Sequence, residues 1–220
     1  MSDATPLVRR SFLGRLAAAG TAVGAAFAGG AALPALARAG SPIAQGHPED
    51  AWLDALKGMH KNIYDCTSAE SGGMGWFYAN NFLVANTGPA YKMKDSDLSV
   101  IVSVRHFATI FGYNDAMWAK YKLGELFKVN DEATKAPATK NPNTKTANDL
   151  GKRGVVVSVC GMATAFFAGN MLAAKMGMKA ADIEAELRAN LVGPTARMVV
   201  AGVVATNRAQ EKGFAYGYVG

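Results

Sequence analysis

From Pro48 onward, short continuous apolar runs alternate with segments whose apolar residues recur every three or four positions. The first pattern suits strands buried on both faces, the second amphipathic helices. Pro48–Leu56 reads as a short helix: proline suits its first turn, Trp52, Leu53 and Leu56 share a face, and Gly58 can stop it. Lys61–Cys66 follows as a strand, Thr67–Gly73 as a Ser/Gly turn, and Met74–Ala85 as a helix. Leu98–Val104, Leu-Ser-Val-Ile-Val-Ser-Val, is a β-branched strand, and Ala116–Phe127 reads as helical. Lys128–Gly151 interrupts the alternation. It is rich in Lys, Asn, Thr and Pro, and reads as a long surface loop. Beyond it come a strand (Val155–Val159), two helices (Ala163–Met176 and Ala180–Leu191), a short strand (Met198–Val200), a helix (Gly202–Lys212) and a last strand (Phe214–Val219).

Five strands separated by helices predict a flavodoxin-like three-layer α/β sandwich. Its five-stranded sheet would be mainly parallel, in the order 2-1-3-4-5. No internal repeat is visible. The composition agrees: half the residues are apolar and 18% are charged, which suits a packed core and excludes a disordered chain. Two cysteines, Cys66 and Cys160, exclude a disulfide-dense scaffold and a four-cysteine zinc site.

The +6 net charge hints at an anionic partner until its distribution is considered. Leu7–Arg15 contains paired arginines, a serine and then Phe-Leu, the pattern of a twin-arginine export signal. An uncharged Ala/Gly-rich run, Leu16–Ala37, leads to Ala37-Arg38-Ala39, a small-x-small cleavage site. The run is long enough for a transmembrane anchor, but its low content of Leu, Ile and Val favours a cleaved signal. Cleavage would take 39 residues from 220 and leave a domain of 181, residues 40–220. Four arginines against one aspartate leave with it, which removes +3 of the +6. The rest holds no basic block interleaved with aromatics, so a nucleic-acid partner is not expected. The expected partner in export is the twin-arginine translocase, and the expected destination is the oxidising periplasm of a bacterial envelope.

Ligands in such folds sit beyond the carboxyl ends of the strands, at the point where the strand order reverses. Cys66, His106 and Cys160 close the first, second and third strands, and the order 2-1-3 would gather them in one shallow site. Cys160 is the leading candidate, because a cysteine at a strand-to-helix turn meets the free N–H groups of the next helix. Gly161 would leave room for a ligand to approach the sulfur. The competing reading is a buried structural cysteine. Cys66 could pair with Cys160, resolve an intermediate on it, or merely fill space. His106, beside Arg105, could act as a base, help to hold an anion, or simply be hydrogen-bonded. The spacing of these residues matches no metal motif, so no metal is expected. The turn Cys66–Gly73 lacks the glycine pattern of a phosphate loop. Asn114–Trp118 reads as a helix cap, and Met162, Met171, Met176 and Met178 read as core or subunit contacts.

Two segments carry a family resemblance. One is Gly154-Val-Val-Val-Ser-Val-Cys160-Gly-Met-Ala. The other is Met198-Val-Val-Ala-Gly202-Val-Val with Arg208-Ala-Gln210-Glu-Lys-Gly213-Phe-Ala-Tyr216. Together they resemble the DsrE/DsrF-like family of sulfur-relay proteins, and the order of elements from Lys61 to the C-terminus agrees. The resemblance implies a flavodoxin-like sheet, homo-oligomers, and a cysteine after the third strand that accepts sulfur as a persulfide. Cys160 matches that position, whereas Cys66 and His106 match no established family role. The export signal and the Lys128–Gly151 insertion set this chain apart from cytoplasmic members. The expected function is therefore sulfur binding or persulfide transfer in the envelope, with a small sulfur species or a sulfur-carrier protein as partner. No resident cofactor is expected. The rival readings are a non-enzymatic module for a small ligand or flavin, and a structural oligomer whose cysteines form only a disulfide.

Overall fold

A computed structural model describes residues 47–71 and 73–220. The expected export signal, residues 1–39, lies outside the described residues. Among the described residues, no helix is long and apolar enough to cross a membrane.

Five strands, β1 (His60–Cys66), β2 (Leu98–Val104), β3 (Val156–Cys160), β4 (Ala196–Val199) and β5 (Ala215–Val219), form one all-parallel sheet. With helices on both faces, the architecture is the flavodoxin-like three-layer sandwich. The strand order, however, is β4-β3-β2-β1-β5, which corrects the expected 2-1-3-4-5. The physical reason lies in burial. Every residue of β2 is buried, so β2 takes the centre, while the mostly uncovered β4 and β5 take the edges.

This order decides what covers each face. The chain steps from β1 to β4 in one direction, and right-handed crossovers then place all the connecting helices on one side. Those helices are α2 (Met74–Thr87), α3 (Asp115–Tyr121), α4 (Leu123–Phe127), α5 (Thr144–Lys152), α6 (Gly161–Phe166), α7 (Ala173–Met176) and α8 (Ala180–Ala189). They build the larger core, in which Trp76, Trp118, Tyr121, Phe167 and Leu187 pack against Val100, Val102, Val157 and Val159. The return from β4 to β5 runs through α9 (Gly202–Glu211) across the other face. There α9 and the short α1 (Ala51–Asp54) build a smaller core: Trp52, Leu53, Ala205 and Ala209 against Ile63 and Ile101.

Three expected elements differ in detail. The helix over 116–127 is two short helices, broken at Lys122, which adopts a left-handed φ of 50°. The helix ending at Met176 begins at Gly161 and contains a π-helical stretch, Phe167–Leu172. The expected loop Lys128–Gly151 holds most of α5 and is anchored to the core. Asn141 Nδ2 donates to the carbonyls of Phe111 and Tyr113 at 2.8 and 2.7 Å, and Ala138, Ala147 and Leu150 are buried. Two buried alanines, an amide and Leu150 near the end of the segment do the anchoring, so a pattern of recurring large apolar residues is missing from most of it.

Candidate functional site

Side chains alternate between the faces of a strand. Val157 and Val159 point into the larger core, which sends Cys160, the last residue of β3, toward α9. Its Sγ accepts hydrogen bonds from two backbone N–H groups: Ala163, in the first turn of α6, at 3.4 Å, and Gly202, which opens α9, at 3.2 Å. Both donors carry the partial positive charge of a helix start, so they favour electron density on the sulfur.

The topology explains why two helix starts meet at one atom. β3 and β4 are neighbours, yet β3 leads into the larger layer and β4 into the smaller one. The carboxyl ends of adjacent strands thus diverge to opposite faces, which opens the crevice characteristic of such sheets. The expected position of that crevice, beside β1, is corrected to the β3–β4 boundary. Of the three candidates, only Cys160 sits directly on it.

Two glycines permit the close approach. A Cβ on Gly202 would lie 2.6 Å from Arg105 Cβ, too near for any other residue without movement. A Cβ on Gly161 would lie 2.7 Å from the carbonyl oxygen of Val199. Gly161 therefore makes room for the β4 backbone, which corrects the expectation that it leaves space for a ligand. Thr164 Oγ1 donates to the Cys160 carbonyl at 2.8 Å and is hydrogen-bonded with the buried Tyr113 hydroxyl, which fixes the turn from below.

Cys160, 7% exposed, lies in a cavity of about 360 Å³ together with Arg105, His106, Phe107, Met162, Phe166 and Val203. Phe107 stacks with Phe167, which stands at the start of the π-helical stretch. Of the four methionines expected in core or contact roles, Met171, Met176 and Met178 pack on the larger core, whereas Met162 is 67% exposed at the cavity. His106 lines the same cavity and adopts a left-handed φ of 51°, rare for a residue with a side chain. Its ring stacks on Phe107 at 4.2 Å. Asn114 does cap α3, accepting from Met117 N–H at 3.2 Å.

Arg105 is held from beneath. Its Nε and Nη2 donate to the two carboxylate oxygens of Asp65 at 2.7 and 2.8 Å, and Tyr216 Oη donates to the same carboxylate at 2.8 Å. Asp65 is 1% exposed, so the pair is shielded on its acidic side. The hydrogen bond to Asp65 raises the Arg105 pKa above its ordinary value. Burial, followed by the bond to Asp65, raises that of Tyr216. Because the Arg105 stem packs on Gly202, this cluster also seats the start of α9 against Cys160.

Cys66 does not join the site. It is fully buried in the larger core, where its Sγ lies against α2 at Gly75. Burial, helped by the adjacent Asp65 charge, pushes its thiol up to about 12. The expected adjacency of Cys66 and Cys160 is corrected for two reasons. β2 lies between their strands, which separates the backbones by about 9–10 Å at ordinary strand spacing, and the side chains leave opposite faces. Both cysteines are free. Among the described residues, no group of three or more His, Cys, Asp or Glu side chains could hold a metal ion.

No family model matches the chain, and no curated protein matches it either.

Several parts of the site were not read from the sequence. Asp65 and Tyr216 are the clearest omissions, although a lone aspartate beside a buried strand cysteine was a usable signal. The Gly202 N–H lies 42 positions from Cys160, and no local pattern in the sequence links the two. The walls Phe107 and Phe166 carried no local signature.

Proposed function

We propose that this protein is an exported, DsrE-like sulfur carrier of the bacterial envelope that takes up sulfane sulfur on Cys160. The observation that supports the reading best is the pair of N–H groups on Cys160 Sγ inside an open cavity. A structural cysteine needs neither. In the exchange, Cys160 sulfur attacks the outer sulfur of a donor R–S–SH. The donor S–S bond breaks, a Cys160–S–SH persulfide forms, and R–SH leaves with the proton from Cys160. Thiol and persulfide exchange places, so no external oxidant is required. His106, at the cavity wall, assists the proton transfer. Cys66, on the opposite face, stays outside the exchange. The twin-arginine pattern supports the periplasmic assignment, and the resemblance supports a homo-oligomer. Export by the translocase and hand-over to a sulfur-carrier protein belong to the same reading.

Polysulfide treatment followed by intact-protein and peptide mass spectrometry tests it. Added sulfur should map to Cys160 and be absent from Cys160→Ser. A Cys160 that stays unmodified by polysulfide and by organic persulfides alike, while iodoacetamide still alkylates it, would refute the proposal. A second reading, non-covalent binding of a small ligand or flavin, draws on the aromatic walls of the cavity. A flavin spectrum in the purified protein, or ligand binding unaffected by Cys160→Ser, would favour it.

A further inference from the structure

The shape and charge of the cavity go further than the identity of its nucleophile. We infer that the sulfur donor is a small organic persulfide with an uncharged, apolar body, a deduction that rests on the sulfur-carrier reading above. A volume of about 360 Å³ lies in the range of small-ligand sites and exceeds what one or two sulfur atoms occupy. Phe107, Met162, Phe166 and Val203 form most of the wall, and all four are substantially exposed, so the apolar surface awaits cover.

Charge points the same way. Among the described residues, Arg105 is the one permanently charged side chain lining the cavity, and both carboxylate oxygens of buried Asp65 are committed to it. An anionic donor such as polysulfide or glutathione persulfide would give up hydration here without meeting an unmatched cation. An apolar body loses little on entry and gains contact with the aromatic walls. With that body against Phe107 and Phe166, the outer sulfur of the donor faces Cys160. The exchange then releases an uncharged thiol, which leaves by the same mouth.

The test compares the second-order rates at which benzyl persulfide, glutathione persulfide and inorganic polysulfide load Cys160, read by intact-protein mass spectrometry. Benzyl persulfide should be faster than glutathione persulfide by at least about tenfold, the scale on which apolar pockets discriminate. Phe166→Ala and Val203→Asp should shrink that ratio severalfold. Met59→Ala, which removes an exposed apolar side chain outside the cavity, should preserve it. Equal rates for the three donors would overturn the inference while leaving sulfur loading of Cys160 intact. A peptide-borne persulfide loading faster than the benzyl donor would also overturn it, in favour of a protein partner. No loading by any donor would overturn the parent reading. In the unaltered protein, benzyl methyl sulfide should slow alkylation of Cys160 by iodoacetamide, and absence of protection counts against the inference even if both cavity variants fail to fold.

Discussion

The two faces of this sheet have been put to different uses, and the two cysteines show how. On the larger face, seven helices seal the strands, and Cys66 lies among aromatic and branched side chains with no route to solvent. On the smaller face, α9 and the short α1 cover the sheet, and Cys160 meets backbone N–H groups and an open cavity. One residue type has thus become core filler on one side and a candidate nucleophile on the other. The difference lies in topology: only where neighbouring strands feed opposite layers does a crevice open.

The largest expected contrast is in stability. Trp118 is fully buried in the larger core, and its indole N–H donates to the Ile110 carbonyl at 2.9 Å. Trp118→Ala should cost about 3–5 kcal/mol in urea unfolding, through a large cavity and an orphaned carbonyl. Trp52, in the smaller core and at the edge of a second hollow beside Val199 and Arg208, retains some exposure. Trp52→Ala should cost about 2 kcal/mol, since its neighbours can relax into the gap. Equal losses would erase the contrast between the faces.

Next comes pH. The Cys66 thiol titrates near 9.0 when unfolded but near 12 in place, so between those values the unfolded chain gives up a proton that the folded chain keeps. The contribution of Cys66 to stability is whole below about pH 9 and is lost as pH rises toward 12. The extra slope is about 1.4 kcal/mol per pH unit within that window. Other groups titrate there too, so the relevant quantity is the difference between wild type and Cys66→Ala. Parallel stability curves for the two proteins from pH 9 to 11 would show that the thiol is not sealed.

Two glycine substitutions then separate packing from chemistry. A Cβ at Gly75 overlaps Cys66 Sγ and approaches Val102 at 3.2 Å, so Gly75→Ala should cost about 1–3 kcal/mol, in part restored by adding Cys66→Ala. Gly202→Ala overpacks against Arg105 by a comparable amount, but should also slow alkylation of Cys160 by shifting an N–H away from the sulfur. A Gly75→Ala protein with slowed Cys160 alkylation, or a Gly202→Ala protein with normal alkylation, would contradict the division of labour between the faces.

How much of this could be read in advance follows from sequence distance. The strands around Val100 and Val157 announce themselves through runs of adjacent β-branched residues, and Cys160 is recognisable because a strand-to-helix turn is a local feature. Strand order is not local. It depends on which run is buried throughout: Leu98–Val104 reads as a buried parallel strand, but its β-branched run does not say which strands flank it, and its burial extends even to Ser99 and Ser103. The second N–H donor and the cavity walls at Arg105–Phe107 and Val203 come from chain 40 or more residues away. Residues 128–151 carry few large apolar residues: Leu150 is buried near the end of the segment, and the rest is held by Asn141 and the small Ala138 and Ala147.

The smallest expected effect concerns the hydroxyl that completes the charged cluster of the smaller face. Asp65 Oδ2 accepts from both Arg105 and Tyr216, while Oδ1 keeps its own bond to Arg105. Tyr216→Phe therefore removes one donor of three and leaves the ion pair standing. The expected loss is about 1 kcal/mol in urea unfolding, with alkylation of Cys160 unchanged, because the Arg105 stem still packs on Gly202. Asp65→Asn differs in kind: it strips a guanidinium of its buried counter-charge, and so should exceed the Tyr216→Phe loss and disturb the α9 start as well. If Tyr216→Phe matched Asp65→Asn in both readouts, the phenol rather than the ion pair would be what seats α9, and the smaller face would depend on its edge strand rather than on its crevice.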